Sequence, residues 1–324
     1  MGPAGYQDEV IYRLVGGSGG NKMKRQAKSN IAVNAAHELY ATLVNERCAN
    51  TGRGARIEAG QVASWNVNLN FIISKLQSFG PKQKIRALDL GCGYGFLTQS
   101  VCSLGASAVG IDTDRNVIKY ASQTNRFPDR AAYMNIPVDE MSGEKIFDVI
   151  IISEVLEHVS APDLVMMHCH RLLKDKGFVL LTIPNKQGLR ECLEQILLPV
   201  RESVAGRSCI RFFRRMASEA SQGNLTAWDV YTDDYHKRFF KMPTLLNIFS
   251  CCGFRMIDYQ NQDAWATLWG TLFPWFDIGP GLLKLDYKIA DVLPYYIAGG
   301  WMMVLKKCNQ PSKQDGGHED RYVH

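Results

Sequence analysis

The sequence predicts an α/β protein built on a mostly parallel β-sheet with helices on both faces. Three observations lead to this prediction. A strand, a glycine-rich turn, a helix and a second strand follow one another in residues 87–112. From residue 85 onward, apolar runs of strand length alternate with helical segments, which is typical of parallel sheets. Residues 147–152 form a largely apolar run, as expected for a strand that is buried on both faces.

Each element follows from its local pattern. Apolar side chains recur at helical spacing through residues 24–84, which predicts a helical N-terminal extension. The first strand then leads through three glycines into an amphipathic helix that ends at Gly105. Further strands are predicted at residues 108–111, 131–134, 147–152, 178–183, 254–259 and 301–306. A helix between the fourth and fifth strands is predicted to continue to Lys174, and another helix is predicted at residues 243–252.

The same pattern predicts the organisation of the chain. We expect a flexible N-terminus over residues 1–23, the helical extension over 24–84, an α/β domain over 85–308 and a disordered polar tail over 309–324. Two stretches, residues 186–234 and 261–300, are additional to the minimal alternation of strands and helices. Both follow the carboxyl end of a strand, where open α/β sheets bind ligands. We therefore expect these two insertions to form a lid over the site.

Composition excludes several classes of protein. A net charge of +5 in 324 residues is too small to indicate nucleic-acid binding by itself. The nine cysteines are odd in number and include no CxxC pair, so they predict neither a disulfide framework nor a zinc site. No charged segment followed by an apolar segment is seen near the N-terminus. We therefore expect a cytoplasmic protein.

The glycine-rich turn has the spacing DxGxGxG, with Asp89 two residues before Gly91. Dinucleotide-binding proteins have GxGxxG and place a pyrophosphate on the helix that follows. A carboxylate at Asp89 would repel a pyrophosphate and attract a cation such as an ammonium or a sulfonium. Asp112, at the end of the second strand, suits the two hydroxyls of a ribose.

This segment resembles the first motif of the class I S-adenosylmethionine-dependent methyltransferases. The resemblance implies a seven-strand sheet whose last strand is antiparallel, with S-adenosyl-L-methionine as the cofactor. It also implies that Asp89 and the glycines hold the methionine end, Asp112 binds the ribose and Asp139 meets the adenine. The expected cofactor site consists of Asp89, Gly91, Gly93, Gly95, Asp112, Asp139 and Glu154.

The segment from Glu154 to His158 resembles that of the ubiquinone-biosynthesis O-methyltransferases. A neutral His158 there could take the proton of an acceptor hydroxyl as the methyl group transfers. The alternative is that His158 only packs against or caps the next helix. The resemblance also implies a candidate site for a divalent metal ion, with Glu154, Glu157 and His158 as its ligands. Many relatives carry the same residues without a metal, so the sequence leaves this ion open.

Two other polar residues are candidates for contact with the acceptor. Asn185 ends the fifth strand in a Thr-Ile-Pro-Asn sequence, where its amide either bonds to substrate or supports a turn. His236 lies in a His-x-Arg-x-Phe sequence that resembles one in sugar and lipid O-methyltransferases. Its alternative role is a structural hydrogen bond.

The two insertions carry information about the acceptor. Residues 189–216 are amphipathic and basic, and Trp265, Trp269 and Phe273 recur at a spacing of four. Such stretches either pack on the core or form an apolar pocket or a membrane-surface patch. We therefore expect methyl transfer to a hydroxyl oxygen of a small-molecule, lipid-linked or glycan acceptor, with peripheral membrane association left open. The alternative is a non-catalytic member that binds cofactor as a partner in a biosynthetic complex.

Overall fold

The computed structural model describes residues 35–44, 46–47, 59–79, 85–185, 203, 240–263, 285–286 and 288–308. The predicted flexible N-terminus (residues 1–23) and tail (residues 309–324) lie outside these ranges, as do most residues of the two predicted insertions. Among the described residues, no helix is both long and apolar enough to span a bilayer.

Seven strands form one sheet in the described part of the chain, as predicted. They are β1 (Arg86–Leu90), β2 (Ser107–Ile111), β3 (Ala131–Met134), β4 (Phe147–Ser153), β5 (Leu173–Pro184), β6 (Phe254–Asn261) and β7 (Gly300–Lys307). Their order across the sheet is β3-β2-β1-β4-β5-β7-β6. The first five strands pair in parallel, whereas β7 runs antiparallel to both of its neighbours. The carboxyl ends of β1 to β6 therefore meet at one edge, where ligands bind in open α/β folds.

Helices cover both faces of this sheet. They are α1 (residues 35–44), α2 (Ala59–Ser78), α3 (Phe96–Ser103), α4 (Arg115–Gln123), α5 (Pro162–Leu172) and α6 (Met242–Cys251). In β4, Val149 and Ile151 join the apolar cluster with α2 and α3, whereas Ile150 and Ile152 join the cluster with α5 and α6. Since successive strand side chains point to opposite faces, one apolar run supplies both cores.

Helices α1 and α2 lie within the predicted helical extension, and α2 packs directly on the sheet. Its Phe71, Ile72 and Leu76 are buried in the same apolar cluster as strand residues of β1, β4 and β5. Phe79, just after the helix, stacks on Phe178 of β5 with ring centroids 4.4 Å apart. The extension is therefore part of the core in this region.

The junction between α5 and β5 differs from the prediction. We predicted that the helix continues to Lys174, but α5 ends at Leu172 and β5 begins at the next residue. Leu173 is fully buried and pairs with Phe147 of β4, after which the register of the two strands shifts. Burial of Leu173 against the sheet favours an extended backbone over a further helical turn.

Two buried asparagines anchor the segment that precedes β7. Asn185, directly after β5, has its Nδ2 2.8 Å from the carbonyl oxygen of Ala298 and 3.2 Å from that of Tyr296. Asn261, at the end of β6, donates to two carbonyl oxygens in residues 290–293, at 2.8 and 2.9 Å. The structure therefore favours the turn-supporting role of Asn185 over contact with a substrate.

We predict that Asn185→Ala lowers the free energy of unfolding by about 2–3 kcal/mol, because buried carbonyl oxygens lose their donor. Asn116→Ala, at an exposed position on α4, is the control and should change it by less than about 0.5 kcal/mol. Urea denaturation measures both variants. Equal stability of the two variants would show that Asn185 does not anchor this segment.

Candidate functional site

The turn between β1 and α3 adopts a backbone that favours glycine. Gly91, Gly93 and Gly95 have φ values of 70°, 51° and 75°, in the left-handed region. A Cβ on Gly95 would lie 2.6 Å from the hydroxyl oxygen of Tyr133, so close packing excludes a side chain there. A Cβ on Gly93 would have no heavy atom within 4 Å. The backbone at Gly93 therefore borders open space, where a ligand can approach.

An open cavity of about 500 Å³ lies at the carboxyl edge of the sheet beside this turn. Five of the predicted site residues line it: Gly91, Asp112, Asp139, Glu154 and His158. Much of the remaining wall is apolar and consists of Leu90, Ile111, Val117, Ile136, Val138, Val155, Val159 and Val165. Asp114 adds a fourth carboxyl group, and no Lys or Arg from the described residues belongs to the lining.

The cavity follows the order of the strands. Asp139 lies in a short 3-10 helix (Val138–Glu140) after β3, and Asp112 follows β2. Gly91 follows β1 and Glu154 follows β4. Since neighbouring strands are about 5 Å apart, the edge from β3 to β4 spans about 15 Å. An elongated ligand can therefore contact all four positions.

Asp112 connects the ends of β1 and β2. Its Oδ2 accepts a hydrogen bond from the Gly93 N–H and its Oδ1 accepts one from the Asp114 N–H, each at 2.9 Å. A carboxylate has about four acceptor positions, so two remain for a ligand. The backbone thus orients this half-buried carboxylate while leaving it able to bind a diol.

Asp89 lies outside the cavity lining. Only 2% of its surface is exposed, and its Oδ2 accepts a 2.5 Å hydrogen bond from the Thr98 hydroxyl of α3. Burial raises the pKa of Asp89 to about 6, and the Thr98 bond opposes this rise. Asp89 therefore joins β1 to α3 beside the glycine turn, and its predicted contact with the methionine end stays a prediction.

The segment after β4 is a turn, in which the neighbouring side chains of Glu157 and His158 differ in burial. His158 lines the cavity with a third of its side chain exposed. Glu157 is fully buried, and neither of its carboxylate oxygens has a hydrogen-bond partner in the described structure. Burial, followed by the charge of Glu154, raises the pKa of Glu157 to about 9. Its Oε1 lies 3.7 Å from the His158 Nε2.

The metal site that the sequence left open is not formed. Among the described residues, which include Glu154, Glu157 and His158, no three His, Cys, Asp or Glu side chains form a group that could hold an ion. Glu157 is buried and His158 lines the cavity, although the Glu157 Oε1 lies 3.7 Å from the His158 Nε2. As placed here, the three residues do not form a metal site, and their role as ligands stays a prediction.

Three residues that contact Glu154 were missed by the sequence analysis. They are Asn68 of α2, Thr182 of β5 and Gln262 just after β6. All three are buried. A polar residue inside an apolar helix or strand, as at Asn68 and Thr182, is the signal that could have marked two of them.

Other predicted contacts with the acceptor lie outside the described residues. His236 is among them, as are Trp265, Trp269 and, apart from residue 203, the basic stretch of residues 189–216. Asn185 follows β5 and directly precedes the first insertion, whereas Asn261 ends β6 and begins the second, so both lie at the same sheet edge as the cavity.

Comparison with known proteins identifies the family. A family described as "Methyltransferase domain" matches residues 66–259, a range that includes the glycine turn and the whole cavity lining. The chain belongs to this methyltransferase family. The predicted resemblance to class I S-adenosylmethionine-dependent methyltransferases is thereby confirmed, and so is the predicted fold.

Similar methyltransferases match part of the chain. The ubiquinone biosynthesis O-methyltransferase of Pelagibacter ubique (strain HTCC1062) is 35% identical over 109 residues, which cover 33% of this chain and 45% of that protein. The mitochondrial ubiquinone biosynthesis O-methyltransferase of Mus musculus is 35% identical over 132 residues, which cover 39% of this chain and 35% of that protein. The chain thus spans less than half the length of these relatives.

One solved structure that the chain matches is that of a putative sarcosine dimethylglycine methyltransferase from Galdieria sulphuraria. It has a TM-score of 0.48 and 14% sequence identity, and the alignment covers 75% of this chain and 85% of that chain. The strand order of the present structure, rather than this likeness, identifies the fold.

We predict that Asp89 makes folding stability fall as the pH rises from about 4 to 7. Its pKa is about 6 in the folded protein against an ordinary 3.8, so the folded state keeps a proton that the unfolded chain has lost. The two pKa values correspond to a total loss of roughly 3 kcal/mol from this group, of which roughly 2 kcal/mol falls between pH 4.5 and pH 7. Asp89→Asn has no carboxyl group at this position and should not show this loss. Its free energy of unfolding should therefore increase relative to that of the wild type as the pH rises from about 4 to 7.

Urea denaturation at pH 4.5 and pH 7 measures the difference between Asp89→Asn and the wild type. Asp129→Asn, at an exposed position, is the matched control, and its difference from the wild type should stay constant. A constant difference for Asp89→Asn as well would contradict the raised pKa.

Proposed function

We propose that this protein transfers the methyl group of S-adenosylmethionine to a hydroxyl oxygen of a small-molecule acceptor with a lipid-like portion. The observation that carries the proposal is that Gly91, Asp112 and Asp139 line one cavity at the carboxyl edge of the sheet. The family match and the names of the two relatives, both ubiquinone biosynthesis O-methyltransferases, support it.

The cavity fits this cofactor in size and charge. Its volume of about 500 Å³ lies within the usual range for small-molecule sites. Gly93 is not part of the cavity lining, but the open space there lets a ligand lie against the backbone of the neighbouring turn. Asp112 has two acceptor positions left for a ribose. Acidic side chains without a neighbouring Lys or Arg in the described lining would repel the pyrophosphate of a dinucleotide.

Each acidic residue in the lining has a proposed role. Asp112 accepts hydrogen bonds from the ribose hydroxyls, and Asp139, exposed on its 3-10 helix, accepts one from the adenine amino group. Glu154 lies at the methionine end. When bound, S-adenosylmethionine supplies an electrophilic methyl group on its sulfonium. The protein then contributes mainly alignment and desolvation of the acceptor oxygen.

His158 is the proposed proton acceptor for the hydroxyl group. It lines the same cavity as Asp112 and Glu154, and its side chain remains partly exposed. A neutral imidazole takes a proton at a ring nitrogen, which leaves the acceptor oxygen more nucleophilic. His236 is the second candidate, on the basis of its sequence motif.

The lipid-like portion of the acceptor is proposed from the insertions and the relatives. The strands that precede the two insertions, β5 and β6, both end at the sheet edge that holds the cavity. Their apolar, aromatic and basic composition would suit an acceptor with an apolar tail and would also suit peripheral association with an anionic membrane. A glycan is the other acceptor class that aromatic side chains could bind.

The test of the proposed function is methyl transfer from labelled S-adenosylmethionine to a panel of hydroxyl acceptors. A catechol that carries a prenyl chain should be methylated with a much lower KM than the same catechol without the chain. Methylation of only the chain-free catechol or of a soluble glycan would overturn the lipid-like assignment. Binding of the cofactor without transfer to any acceptor would support the alternative, a non-catalytic partner in a biosynthetic complex.

We predict that His158→Gln lowers kcat for the hydroxyl acceptor by about a hundredfold or more, because the positioned base is lost. His168→Gln, on α5 and outside the cavity lining, is the matched control and should keep the wild-type rate. Steady-state kinetics measure both. An unchanged kcat in His158→Gln would leave His158 as a structural residue and direct the same test to His236→Gln.

A further inference from the structure

Glu154 is held in an unusual conformation at the edge of the cavity. Its φ of 56° is left-handed, which is uncommon for a residue with a long side chain. Its N–H donates to the Thr182 carbonyl oxygen at 3.1 Å, which extends the pairing of β4 with β5. Strain of this kind persists only where the surrounding structure fixes it.

Three neutral side chains fix one oxygen of the Glu154 carboxylate. The Oε1 accepts hydrogen bonds from the Thr182 hydroxyl at 2.9 Å, the Asn68 amide at 3.2 Å and the Gln262 amide at 3.4 Å. The Gln262 amide also donates to the Asn68 Oδ1 at 2.9 Å, which ties two of these side chains together. We call Asn68, Thr182 and Gln262 the Glu154 clamp. Its members come from α2, β5 and the residue just after β6.

The clamp leaves the other oxygen of Glu154 without a partner from the protein. In the described structure, Oε2 accepts no hydrogen bond and Glu154 forms no salt bridge. Burial raises the pKa of Glu154, while the three donors favour its ionised form. A partly buried carboxylate without a positive neighbour is costly. A cation in the cavity would remove that cost.

The position of Glu154 indicates which end of the cofactor supplies the cation. The next residue, Val155, lies so close to the glycine turn that a Cβ on Gly91 would be 2.5 Å from its Cγ2. With the ribose at Asp112 after β2 and the adenine near Asp139 after β3, the rest of the cofactor extends past β1 towards β4. That end carries the sulfonium and the amino group.

We propose that the Glu154 clamp holds the carboxylate of Glu154 against the sulfonium-bearing end of the cofactor, a role that rests on the proposed function. The clamp members are positioning residues, because they act through Glu154. Because transfer of the methyl group removes the positive charge on sulfur, the Glu154 carboxylate then contributes more to the binding of S-adenosylmethionine than to the binding of S-adenosylhomocysteine. Loss of that attraction after each turnover favours release of the product.

Calorimetry of the full chain with S-adenosylmethionine and with S-adenosylhomocysteine tests this proposal through the ratio of the two dissociation constants. Glu154→Gln should reduce the preference for S-adenosylmethionine by about tenfold, because a charge is lost while the shape is kept. Thr182→Val and Gln262→Met remove clamp donors and should reduce it by about threefold each. Thr182→Ser keeps the hydroxyl and should restore the wild-type ratio.

Ser153→Ala is the matched control, because the Ser153 hydroxyl contacts Thr182 at 3.0 Å without contacting Glu154. It should leave the ratio unchanged. An equal loss of affinity for both ligands in the Glu154 and clamp variants would overturn the proposal and indicate a merely structural role. A change confined to the KM of the methyl acceptor would also overturn it. Failure of the wild type to bind either ligand would instead contradict the proposed function itself.

Discussion

The parallel pairing of β1 with β2 and β4 is the constraint on which the site depends. It places the glycine turn, Asp112 and Glu154 at one edge of the sheet. Asp112 then stabilises the turn, because its carboxylate accepts a hydrogen bond from the Gly93 N–H. The same carboxylate still has acceptor positions for a ligand. One side chain therefore both shapes the turn and is available to the ligand, so a change at Asp112 should affect both.

The charge of the cavity follows from the same arrangement. The carboxyl ends of β2, β3 and β4 each contribute an acid, and the described lining has no Lys or Arg. Neutral donors, namely Thr98 for Asp89 and the clamp for Glu154, offset part of the cost of burying carboxylates. They orient the acids without neutralising them. The site thus remains attractive to a cationic ligand.

Much of the fold could be predicted because its signals are local. The apolar run of β4 and the DxGxGxG turn depend on side chains that are close in sequence, and both are where the sequence places them. The turn from Glu154 to His158 was not predictable from its residue types. The same residue types suggest three metal ligands, but the backbone at Glu154 is left-handed, Glu157 is buried and His158 lines the cavity.

The Glu154 clamp could not be predicted because it depends on tertiary packing. Asn68 and Gln262 lie 86 and 108 residues from Glu154 in sequence, and no local pattern connects them. Only the packing of α2 on the sheet and the return of β6 to the cavity edge bring the three together. The end of α5 is a similar case, since pairing of Leu173 with Phe147 overrides the helical periodicity.

Calorimetric titration of S-adenosylhomocysteine into the wild type and Asp112→Ala tests the central claim, that this sheet edge holds the cofactor through Asp112. The wild type should bind, and the variant should bind about 1.5–3 kcal/mol more weakly, because charge-assisted hydrogen bonds to the ribose are lost. Asp129→Ala, at an exposed position, should bind like the wild type. Unchanged affinity in Asp112→Ala, or tight binding of a nicotinamide dinucleotide with none of S-adenosylhomocysteine, would contradict the account.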